Sequence, residues 1–142
     1  MSLNRAIDAA GSALSAQRLR MELASANMAN AQTTKTPEGG PYKRKIAVFE
    51  AEPALLSSRE ERGGRTPGGV RASRIVADPS PPEMRYEPYH PDANAEGYVA
   101  YPAINATAEM VDLVSAARSY EAGVSVIRTV RQLLQTTLNL LR

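Results

Sequence analysis

The sequence predicts an α+β fold: long N- and C-terminal helices paired as an antiparallel coiled coil, with a small β-rich, Pro/Gly-rich middle domain. Two observations lead to this. All ten prolines fall between Pro37 and Pro102, and seven of the nine glycines lie between Gly39 and Gly97. Both ends instead carry apolar residues at alternating spacings of 4 and 3, the signature of a helical seam. Proline lacks the backbone N–H and glycine loses the most entropy on ordering, so long helices fit the ends and not the middle. The expected organisation is residues 1–32 and 103–142 as the two helices of a helical core domain, and 33–102 as the small middle domain.

The N-terminal series is Leu3, Ile7, Ala10, Leu14, Gln17, Met21, Ala24 and Met28, interrupted only by polar Gln17. A helix over roughly residues 3–30 would be about 40 Å long. Asn27 and Asn30 stand near its end, where asparagine is favoured over the helix interior.

The middle reads as loops with short strands at Lys43–Ala51, Val70–Val76 and Tyr98–Tyr101. Thr66-Pro67-Gly68-Gly69 signals a turn, and Gly63-Gly64 with Gly68-Gly69 brackets a mobile hairpin tip. Asp78-Pro79-Ser80-Pro81-Pro82 must be extended, because proline disfavours the α conformation before it. In Lys43-Arg44-Lys45, side chains alternate across a strand.

The C-terminal series is Ala106, Met110, Leu113, Ala117, Tyr120, Val124, Ile127, Arg131, Leu134, Leu138 and Leu141, with Arg131 its one charge. Asn105 is the expected N-cap; Glu109 and Asp112 near the start, and Arg128, Arg131 and Arg142 near the end, suit the helix dipole. A second stripe runs through Ala116, Gly123, Val126, Val130, Leu133 and Leu140. One partner helix covers one stripe, so Val126, Val130, Leu133 and Leu140 are expected to make contacts between chains. Full burial of each such side chain is worth about 1.5–3 kcal/mol.

Composition narrows the function. The 142 residues include no Cys and one His, which excludes disulfides, thiolate metal sites and a multi-histidine site within one chain. Lys and Arg number 17 against 15 Asp and Glu, without the basic stripe of a nucleic-acid binder. No apolar run reaches the roughly 20 residues needed to span a bilayer. The N-terminus, with Asp8 inside it, does not read as a cleaved signal peptide.

Catalytic candidates are weak. His90, in Pro88-Tyr89-His90-Pro91-Asp92, lacks an adjacent nucleophile and reads as structural. Glu60-Glu61 reads as a solvated pair, and Gly63-Gly64-Arg65 and Gly68-Gly69 match no phosphate-binding loop. No enzyme activity, cofactor or metal is expected.

Several segments resemble the flagellar basal-body rod proteins. At the N-terminal end these are Ala10-Gly11-Ser12-Ala13-Leu14-Ser15-Ala16-Gln17, Ala29-Asn30-Ala31 and Pro41-Tyr42-Lys43-Arg44. The stronger C-terminal set is Gly97-Tyr98-Val99-Ala100-Tyr101-Pro102, Glu109-Met110-Val111 and Ala117-Arg118-Ser119-Tyr120-Glu121-Ala122. His90-Pro91-Asp92-Ala93 is similar to the proximal-rod subgroup. The family-motif positions are thus Asn27, Asn30, Tyr42, Lys43, Arg118, Ser119 and Tyr120. Ala26-Asn27-Met28-Ala29-Asn30 departs from the family's Ser-Asn-Leu-Ala-Asn, and Gly123 replaces the usual Asn. In a helix, Gly costs about 1 kcal/mol relative to Ala.

The resemblance implies a structural subunit polymerising through its terminal helices into a tubular drive shaft around an export channel. It implies homo-oligomerisation, other rod proteins and the flagellar type III export apparatus as partners. It also implies a location in the rod across the periplasm, reached without a cleaved signal. A distal rod or hook-type subunit and a coiled-coil adaptor or secreted interaction protein are the alternatives. In an antiparallel hairpin, Leu3 is expected near Leu141, Met28 near Ala117, and Gln17 within about a turn of Arg131, setting register.

Overall fold

The computed structural model describes residues 3–53 and 67–140. The order is α1 (Leu3–Ala29), β1 (Lys45–Pro53), β2 (Pro67–Ala77), β3 (Glu83–Tyr86), β4 (Tyr98–Tyr101) and α2 (Ala106–Leu140). Of the expected hairpin tip, Gly63-Gly64 lies outside the described residues, as do Glu60-Glu61, Arg65 and Leu141; Pro67, Gly68 and Gly69, expected as a turn, instead begin β2, paired with the end of β1.

The two helices close on Asn residues. Asn30 ends α1: its Nδ2 donates to the Ala26 carbonyl at 2.8 Å, and its Oδ1 accepts from Thr33 Oγ1 at 3.3 Å. Asn105 caps α2 as expected. Its Oδ1 accepts from the N–H groups of Thr107 and Ala108 at 3.0 and 3.1 Å, satisfying donors that the first turn leaves open.

The strands form two separate antiparallel ribbons, β1–β2 and β3–β4. β1 and β2 pair from Lys45↔Ala77 to Pro53↔Pro67, with a bulge at Val48/Phe49. β3 has no counterpart in the sequence reading. Glu-Met-Arg-Tyr offers no buried face, and all four residues are exposed; the segment is a strand because β4 pairs with it. β4 supplies Val99, which is completely buried.

The long ribbon lies along α1. Ser12 Oγ donates to the Ala9 carbonyl at 2.8 Å and accepts the Val70 N–H at 3.1 Å. Gly69 makes this approach feasible, since a Cβ there would stand 2.5 Å from Ser12 Oγ. At the other end, Lys45 pairs with Asn27. α1 is therefore the central element, touching α2 and both strands of the long ribbon; β3 and β4 pack only against each other among the described elements.

The second ribbon is held through its loops. Thr34 Oγ1 donates to Asp92 Oδ2 at 2.7 Å, joining the exit of α1 to the β3–β4 loop. His90 is part of that loop: its Nδ1 accepts the Asp92 N–H at 3.1 Å and its ring meets Tyr101 edge-on. Tyr101 donates to Glu87 Oε2, and this bond is the main reason its hydroxyl pKa is raised. Asn94 closes the turn into β4 by accepting from Glu96 N and Tyr98 N.

Candidate assembly interface

α1 and α2 pack antiparallel. Leu14 meets Gly123, Arg20 reaches Asp112 at 3.7 Å, and Asn27 bonds Glu109 at 3.1 Å. These three contacts set a register about two turns away from the expected one. Met28 falls near the start of α2 rather than at Ala117. Gln17 and Arg131 do not meet. From the Leu14–Gly123 contact, Gln17 lies three residues one way and Arg131 eight the other, a separation of roughly 16 Å. Gln17 instead accepts a hydrogen bond from Arg20 at 3.3 Å, and Arg131 is exposed.

The face of α2 turned to α1 also differs from the reading that began at Ala106. Glu109 and Ala116 are buried, and Leu113, Tyr120, Gly123, Ile127 and Val130 are half-buried. With Leu134 these keep a 4 and 3 spacing, but the line runs between the two stripes read from sequence. Met110 turns outward and is 56% exposed. The physical reason is size: Ala116 and Gly123 let the helices approach closely. A Cβ at position 123 would stand 2.7 Å from Leu14 Cδ2. Gly123, read as a local weakness, is the notch that receives Leu14.

On α1, Ala16, Ala24 and Asn27 are buried, while Ile7, Leu14, Met21 and Met28 are half-buried. Leu3 opens the helix, and its side chain lies outside the description. Half-burial follows from α1 having, among the described elements, two neighbours on different sides, α2 and the long ribbon.

Asn27 is not a helix ending. It is 1% exposed and uses its amide fully. Its Nδ2 donates to the Lys45 carbonyl at 3.0 Å and to Glu109 Oε2 at 3.1 Å. Its Oδ1 accepts the Lys45 N–H at 2.9 Å and the Tyr42 hydroxyl at 3.2 Å. One side chain thereby joins α1, the entry to β1 and the first turn of α2. Glu109, 2% exposed, is held by Arg44 Nε at 2.6 Å. Asp112 adds longer pairs to Arg44 and Arg20, at 3.8 and 3.7 Å. Burial, then the Glu109 charge, raises the pKa of the Tyr42 hydroxyl. Every buried side-chain polar atom among the described residues has a partner.

Lys43-Arg44-Lys45 alternates around this junction: Lys43 and Lys45 are exposed, and Arg44 points inward to Glu109. Sequence reading missed Glu109 as a partner of Asn27, and Arg44 as the partner of Glu109. The available signal was a carboxylate in phase with Leu113, Ala116 and Tyr120, on the side that packs.

The second half of α2 leaves apolar surface uncovered. Val126 and Leu133 are 55% and 57% exposed, Leu134 and Leu138 are exposed, and Val130 and Val124 are half-buried. Leu140 closes the helix, with its side chain outside the description. Arg118 and Ser119 are exposed and Tyr120 is half-buried. No helix among the described residues is long and apolar enough to cross a membrane.

Comparison with known proteins agrees at both ends and over the whole length. The family described as flagella basal body rod protein matches residues 7–35, and that described as flagellar basal body rod FlgEFG protein C-terminal matches residues 95–140. The flagellar basal-body rod protein FlgC of Yersinia enterocolitica is 43% identical over 142 residues, covering 99% of this chain and 98% of that protein. The FlgC proteins of Salmonella typhimurium and Bacillus subtilis are 39% and 38% identical, each across 99% of this chain and 98% and 99% of their own lengths. With both helices, the strands between them and the full length thus matched, the chain belongs to the FlgC family of flagellar basal-body rod proteins.

Proposed function

We propose that this structural subunit of the basal-body rod polymerises through its terminal helices, with the apolar surface on the second half of α2 as the contact between chains. The supporting observation is that Val126 and Leu133 stay more than half exposed although α1 already occupies its side of α2. α1 and α2 then act as an antiparallel coiled coil in a core made of residues 1–32 and 103–142, and residues 33–102 form the outer, β-rich part. The assembled tube transmits torque across the periplasm and surrounds the export channel. Other rod proteins join the same helical array, and the flagellar type III apparatus delivers the chain without a cleaved signal. The role is mechanical and non-catalytic.

The test is genetic. In a strain lacking the gene, the wild-type chain is expected to restore rods and swimming, and a Val126→Glu, Leu133→Glu double variant is not. Both side chains are exposed, so the isolated variant keeps its helical circular dichroism. Intact basal bodies in the deletion strain, or full complementation by the double variant, would overturn the reading.

The same surface makes a dynamic prediction. In a dilute monomer, amide exchange is expected to be slowest around Asn27, Glu109 and Ala116, and fast in the first turns of α1 and the last turns of α2, the ends away from that junction, since stripes without partners leave them free to fray. Uniformly slow exchange along α2 would contradict this.

A further inference from the structure

Tyr89 is the most exposed large hydrophobic side chain among the described residues, at 100%. Its loop is stiff. Pro88 and Pro91 flank the His90 position, and the backbone closes through His90 N to Glu87 O and Ala93 N to His90 O, both at 3.0 Å. Thr34 and His90 tie down Asp92. A rigid, fully presented tyrosine loses little entropy on docking, which is why such residues anchor interfaces.

A receiving surface stands on α2. Met110, Val111 and Val114, with Ser115, Arg118 and Ser119, line a groove of about 500 Å³. Val114 and Arg118 each lie two residues from buried Ala116, about 200° round the helix, so the groove faces away from α1. Met110 and Val111 are 56% and 64% exposed.

The two features are complementary in charge. Residues 87–96 carry Glu87, Asp92 and Glu96 and no Lys or Arg. Arg118 is the one charged residue lining the groove, and it makes no ion pair among the described residues. The apolar walls suit a tyrosine ring, and the guanidinium suits both its face and an acidic loop. Knob and groove belong to one chain, yet among the described residues nothing covers either.

We propose that Tyr89 of one copy docks into the Met110–Val111–Val114 groove of a second copy, with its acidic loop beside Arg118. The contact is heterologous: each copy offers a knob on one surface and a groove on another. Repetition of such a contact yields an open helical array rather than a closed dimer. It rests on the assembly reading above and adds to it a contact separate from the Val126–Leu133 surface.

The chain has no cysteine, so single thiols report the contact cleanly. Full-length Ala95→Cys and Ser119→Cys chains, which keep the Tyr89 ring and the apolar walls of the groove, are mixed under mild oxidation. The expected result is a mixed disulfide dimer forming at least tenfold faster than a control pair of Ala95→Cys with Gln132→Cys. Adding Tyr89→Ala to the Ala95→Cys chain, or Arg118→Glu to the Ser119→Cys chain, is expected to return the rate to that of the control. Equal rates for the test and control pairs would overturn the contact, as would indifference to Arg118→Glu with the fold retained by circular dichroism. Complementation of the deletion strain is scored separately. A chain that restores rods but shows no selective cross-link loses the Tyr89 contact and keeps the rod role, whereas failure to complement removes the rod role itself.

Discussion

Replacing Asn27 by Ala is expected to lower the unfolding free energy by about 3 kcal/mol. Four groups lose their partner together: the Tyr42 hydroxyl, both backbone groups of Lys45, and Glu109 Oε2. Each buried polar group left unsatisfied costs about 1–3 kcal/mol, and more beside a charge. The groove beside Asn27, lined also by Arg20, Arg44 and Asp112, admits water and offsets part of that sum. Urea unfolding checks the figure, and a change below ~1 kcal/mol would show that the junction is not the keystone of the fold.

Asn27→Asp makes a sharper comparison. It keeps an acceptor for Lys45 and Tyr42 but sets a carboxylate 3.1 Å from Glu109 Oε2. Burial and the like charge would hold the new carboxyl's pKa above its unfolded value. The folded variant therefore binds the proton more tightly than the unfolded chain. The variant is expected to be closest to wild type below the ordinary Asp range, where the new carboxyl is neutral, and to lose stability as pH rises from there through its folded pKa. A pH-independent difference from wild type would contradict the Asn27–Glu109 contact.

Gly97→Ala is expected to cost about 2–4 kcal/mol, combining a left-handed backbone with a steric conflict. Gly97 sits at φ +83°, and a Cβ there would stand 2.9 Å from Tyr86 Cε2 and 3.2 Å from Pro88 Cβ. Neither neighbour yields easily. The Tyr86 ring packs edge-on against Tyr98 with centroids 5.3 Å apart, and Pro88 is rigid. The Glu87 N–H also bonds the Gly97 carbonyl at 2.9 Å. Loss of the second ribbon would release Val99 from burial while leaving the α1–α2 contact standing. A thermal midpoint unchanged from wild type would exclude this strain.

Much of the architecture was legible because it follows from local rules. The position of the prolines separates helix from ribbon, Asn105 marks the start of α2, and Tyr98–Tyr101 is a strand in both readings. β3 was not legible: its residues gain nothing from burial, and it exists through pairing with β4. Asn27 was legible as unusual, but its partners lie 15, 18 and 82 residues away, beyond the reach of any spacing rule.

What the sequence by itself determined is the presence of two long helices, the fuller apolar coverage of α2 and the family to which these segments are similar. Only the tertiary structure decided which side of α2 faces α1, and in what register. A 4 and 3 spacing permits more than one adjacent line on the same helix, including one that runs between the two stripes. The choice falls to the line through Glu109, Ala116 and Gly123, because small side chains allow close approach and Asn27 supplies the buried carboxylate with a donor. Apolar periodicity sets the existence of a seam; contact distance and polar satisfaction set its place.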